Sequence, residues 1–227
     1  MVPTPQRASK PVPYSEVAKF NYEVGDAKEK FAHGWSFWVL PVLNALAFNA
    51  AFFSALDEGV VSPWHVGWLL ATFMALPVVP LLKAFRSGVD FDVSSLKLRG
   101  TLYLVTGGIY LSGVPLFAAL ELPSWQFVLA CLGLFSLVFG SVSFAWRISH
   151  HAGSSTTFTL VSILLLRDAP RVQLVFWLAL PAVVFVTCYA RLVLKRHSLA
   201  QLLVGTALAV AVCLLVHASY AAVLRLH

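Results

Sequence analysis

Seven apolar runs dominate this chain and leave it few ways to fold. They fall at about 35–56, 64–82, 100–120, 125–145, 152–166, 172–194 and 199–224. A spanning helix needs roughly 20 predominantly apolar residues, and six of the runs meet that length or come close. The fifth is short; it crosses only if it begins at the interface or the bilayer thins around it. Composition supports the same reading, with 11% charged residues where a soluble domain carries about 25%, and a mean hydropathy of +0.81. The expected fold class is therefore all-α: a polytopic transmembrane helical bundle of about six or seven spans. Length suits one such domain, taken as 35–227. A polar N-terminal stretch, 1–34, precedes it and lacks the early apolar core of a cleaved signal peptide.

Within that stretch, the prolines at 3, 5, 11 and 13 mark a disordered tail. Residues 14–33 mix charges with Phe20, Tyr22 and Phe31, and read equally as an interfacial amphipathic helix or a short solvated one. The formal charge of +6 is too dispersed to argue for nucleic acid. Cys131, Cys188 and Cys213 all lie inside apolar runs, where inert buried thiols are expected. His33 and His65 read as span boundaries beside tryptophans, and His217 as a packed helix histidine. Asn44 and Asn49 in the first run suit hydrogen bonds across helices or the lining of a headgroup slot.

Three polar stretches carry candidate chemistry: 92–99, 147–153 and 191–201. Two crossings separate the first from the second, and two more the second from the third. All three therefore emerge on one membrane face, provided the short fifth run crosses. That face also carries every lysine and arginine except Arg167, Arg171 and Arg225. The positive-inside rule then places it, with the N-terminus, in the cytoplasm. In the third stretch Gln201 stands one helical turn beyond His197, suited to hold its imidazole, while Arg191 offers a cation. The second stretch is Arg147-Ile-Ser-His-His-Ala-Gly153. It reads either as an anion site at a helix start or as a hydrated polar turn. Lys97 and Arg99 in the first serve as phosphate ligands or as headgroup anchors.

Together the three resemble the type-2 phosphatidic acid phosphatase superfamily. The third motif appears as Ala190-Arg191, five residues, His197, three residues and Gln201, where the family carries aspartate. The second appears as Ile148-Ser149-His150-His151, with the family's proline and glycine replaced. The first is poor: Arg99 fits, Gly100 replaces proline, and Asp92 stands where lysine is expected. The resemblance covers about residues 92–205. It implies a membrane hydrolase acting on a lipid phosphate or diphosphate, of isoprenoid or phosphatidate type, with its active site at the membrane face. His197 would attack phosphorus to form a phosphohistidine, and His151 would serve as general acid and then base. Gln201 would orient His197 without an aspartate's charge. Lys97, Arg99, Ser149, Gly153 and Arg191 would hold the phosphoryl oxygens, with no metal and no cofactor. The partners it implies are a membrane lipid substrate and the bilayer; oligomeric state stays open. The alternative is a catalytically weak member that binds anionic lipid as a membrane partner protein.

Overall fold

The computed structural model describes residues 26–36, 39, 79, 95–165 and 170–224. The first two expected spans, apart from four positions, lie outside the described residues, as do Asp92, Asn44, Asn49 and His65. We label the helices α1 (27–36), α2 (Leu96–Ala119), α3 (Pro123–Ser143), α4 (His150–Leu165), α5 (Pro170–Val193) and α6 (Leu199–Leu224). Three of them, α2, α3 and α6, are long and apolar enough to cross a membrane. The protein is an integral membrane protein, and its described residues are helical with no strand among them.

Helix ends follow local chemistry. Ser95 caps α2, its hydroxyl accepting from Leu98 N–H at 3.4 Å. The helix thus begins four residues before the expected span, and Lys97 and Arg99 sit inside its first turns rather than in a loop. The α2–α3 turn is a left-handed cap. Glu121 adopts φ 56, its N–H reaches the Ala118 carbonyl, and that of Leu122 reaches Phe117, both at 3.0 Å. Leu122 and Phe117 are both wholly buried, which supplies the apolar contact this cap favours. Pro123 then opens α3 at a position where a missing N–H costs nothing.

The α2–α3 hairpin closes on small residues. A Cβ on Gly107 would meet the Gly133 carbonyl at 2.9 Å, and one on Gly140 the Gly100 carbonyl at 3.0 Å. Close backbone approach of this kind drives helix pairing where lipid offers no hydrophobic gain. Helix α4, at 16 residues, is about 24 Å long, short of the hydrocarbon thickness. It packs against α3, α5 and α6, and residues 151–159 are all buried. Three of its hydroxyls bond its own backbone: Ser155 and Thr156 to Ala152, and Thr157 to Gly153, at 2.8–3.1 Å. That local satisfaction lets a Ser/Thr-rich helix sit at the centre of a membrane protein.

Helix α1 is capped by Asp26, whose carboxylate accepts from Glu29 N–H at 2.8 Å. Its Ala32 and Ser36 are buried, and Trp35 donates from Nε1 to Thr187 Oγ1 of α5 at 3.0 Å. The segment is therefore docked on the bundle.

Candidate functional site

The starts of α2, α4 and α6 and the end of α5 meet at one end of the bundle. Arg99 of α2 donates from Nη2 to the Ile148 carbonyl at 2.6 Å and lies over the Phe139 ring at 5.5 Å. Ser149 N–H reaches the Gln201 carbonyl at 3.1 Å, tying the start of α4 to the first turn of α6.

A second left-handed cap ends α5 and turns the chain toward this site. Lys195 adopts φ 51; its N–H bonds the Leu192 carbonyl at 2.9 Å, and that of Arg196 bonds Arg191 at 3.2 Å. Arg191 therefore sits in the last turn of α5, with His197 a few residues beyond. Ser198 next opens α6 through a capping box. Its Oγ accepts from Gln201 N–H at 3.3 Å, and Gln201 Oε1 accepts from Ser198 N–H at 2.9 Å. The same Oε1 faces His197 Nδ1 at 3.3 Å; because a carbonyl oxygen only accepts, Nδ1 carries the hydrogen. Gln201 thus holds both the helix start and the imidazole. The pattern Ser198-x-x-Gln201 is a capping-box signature, one that reading Gln201 only as a partner of His197 passed over.

Four basic side chains are drawn together. Arg99 and Arg191 are 3% and 2% exposed, and His151 and His197 each 7%. Arg99, Arg191 and His197 all act electrostatically on His151, and the Ser36 backbone lies beside it. That contact brings α1 to the site, which the sequence did not foretell.

The remaining expected residues are placed differently. Lys97 is exposed; two residues from Arg99 on a helix, it points about 200° away. Ser149 is wholly buried and is the cap of α4, its Oγ accepting from Ala152 N–H at 3.4 Å. Gly153 N–H is bonded to the Ser149 carbonyl at 3.1 Å, and the residue lies at the α4–α6 seam. A Cβ there would meet Phe135 at 2.5 Å and the Gly205 carbonyl at 3.0 Å; one on Gly205 would meet the Ser149 carbonyl at 2.6 Å. His150 belongs to the packing, stacked on Tyr103 at 4.4 Å, edge-on to Phe139 at 5.3 Å and bonded to Ser154 at 2.7 Å. Among the described residues no group of three or more metal-ligating side chains occurs.

The fold and site define an integral membrane helical protein with a buried basic cluster at one end. Among proteins of known identity it is similar to the protein-methionine-sulfoxide reductase heme-binding subunit MsrQ of Pasteurella multocida (strain Pm70). The two are 29% identical over 108 residues, 44% of this chain and 52% of the relative. The chain thus spans about half the length of the curated relative it matches. No family model matches the chain, and no solved structure matches it.

These findings correct the functional expectation. The relative is a haem-binding subunit and not a phosphatase, so the assignment to the type-2 phosphatidic acid phosphatase superfamily is withdrawn. Lipid phosphoester hydrolysis through a phosphohistidine goes with it, as does the reading as a weak family member that binds anionic lipid. Their basis was a set of residue types that helix ends also require. Ser149 and Gln201 are both caps, and Gly153 is a packing glycine.

Proposed function

We propose that this protein uses Arg99, Arg191, His151 and His197 to hold an anionic group at one end of its bundle. One observation carries the reading: two guanidiniums and two imidazoles are each at least nine-tenths buried and share one site. Concentrating cations inside a membrane protein is costly, and such residues are a functional-site hypothesis by default. An anion that accepts charge-assisted hydrogen bonds offsets that cost. Gln201 positions His197, and the basic loops orient this end toward the cytoplasm.

A second reading follows from the relative, whose printed name is that of a haem-binding subunit. The donor chemistry fits such a group. Imidazoles are common haem ligands, and His151 and His197 come from different elements, while Arg99 and Arg191 suit the two carboxylates. His150, engaged by Tyr103, Phe139 and Ser154, stays out of the set. Bound haem would supply one-electron transfer. The chain's own part is to hold the group, keep Nδ1 of His197 protonated through Gln201, and exclude water by burial.

One preparation separates the two. Protein purified in detergent is examined by visible absorption and by equilibrium binding of inorganic phosphate. A haem spectrum that disappears in His151→Ala and His197→Ala supports the second reading. Phosphate binding without a chromophore, lost in Arg191→Gln, supports an anion site alone. Neither signal from folded protein overturns the proposal.

A further inference from the structure

At mid-bundle, far from the basic cluster, α3 and α6 run antiparallel and bring two thiols together. Phe127 of α3 meets His217 and Tyr220 of α6 at 6.0 and 5.9 Å between ring centroids. One turn further along α3 is Cys131, and one turn back along α6 is Cys213, so the register that pairs the rings also pairs the cysteines. The two thiols are near neighbours across the seam, both residues are 0% exposed, and both are free thiols. Cys188, on α5, is only half-buried and has Thr206 as its neighbour instead. The pair is thus a dithiol set within the apolar core, shielded from water-soluble oxidants and reached by an apolar one only when the α3–α6 seam opens.

We propose that Cys131 and Cys213 form a reversible redox site, oxidised by a lipid-soluble disulfide to a bond that locks α3 onto α6. One protein sulfur attacks the reagent's S–S bond, forming a mixed disulfide and expelling one thiol. The second protein sulfur attacks the mixed disulfide and expels the other. The protein loses two electrons and two protons, and the reagent gains both as two thiols.

The test uses the full chain in detergent, carrying Cys188→Ala to silence the third thiol, with dithiodipyridine as the apolar disulfide. The expected product is lighter by two hydrogens, carries no pyridylthio adduct, and has released two thiopyridones per protein. Dithiothreitol restores the original mass. Cys131→Ala and Cys213→Ala, each in the same background, should instead keep one adduct and release one thiopyridone. A parent protein that retains two adducts overturns the proposal, because the sulfurs then do not reach each other. So does a folded parent that stays unreacted while the denatured chain reacts.

Discussion

At the scale of single residues, the cluster makes its members unequal. Arg191 lies in the last turn of α5 beside the buried histidines, and its loss removes a charge-assisted contact to any anion held there. Arg191→Gln is expected to weaken anion binding about tenfold to a hundredfold, read by titration with the bound group. Lys97→Gln, on the exposed side of α2, should leave it unchanged. Gln201 carries two contacts through one oxygen. Gln201→Ala should cost about 1 kcal/mol of stability through the cap, and Ser198→Ala a similar amount. The double variant should cost less than the sum, because the two halves of a capping box depend on each other; thermal unfolding in detergent measures all three. Much of this was legible in the sequence. Arg191 and His197 were singled out by residue type and spacing, His151 only through a resemblance that did not hold, and the three share one cluster. What spacing could not settle was direction. Lys97 and Arg99 are neighbours in sequence and near-opposites on a helix. Nor does a serine or glutamine near a histidine announce whether it serves chemistry or a helix end.

At the scale of elements, the seams rest on backbone approach more than on large side chains. Gly153→Ala places a methyl group against Phe135 and the Gly205 carbonyl, and should destabilise by roughly 1–3 kcal/mol. Gly108→Ala is the control, since nothing lies within 4 Å of its added Cβ. It should be neutral or stabilising by up to about 1 kcal/mol, from helix propensity. The α5–α6 turn is open to improvement, because Lys195 holds a left-handed conformation that costs an L-residue about 1–2 kcal/mol. Lys195→Gly should raise the unfolding midpoint with the cluster's ligand affinity unchanged. The last span was read from the sequence at 199–224, and α6 occupies those residues. The start of α2 was misplaced because Ser95 caps a helix whose first turn is polar. Hydropathy locates the apolar part of a helix, and caps decide its ends.

At the scale of the whole molecule, α4 is the hub, enclosed by protein and tied at its start to α2, α6 and α1. The contact of α1 with this assembly is the one no motif signalled, because it joins a tryptophan and a threonine 152 positions apart. Trp35→Phe keeps the ring and removes the donor. Amide exchange over 27–36 should then quicken about fivefold, as expected for the loss of one hydrogen bond, while exchange in α3 stays as it was. The separation also has a meaning in time. At about 5–20 residues per second, the ribosome makes Thr187 roughly 8–30 s after Trp35. Throughout that interval the segment bearing Ser36 has neither its α5 acceptor nor, until late, its histidine neighbour. Assembly of this end of the molecule is therefore a post-insertion event, and the newborn chain carries α1 without its α5 contact until α5 is in place.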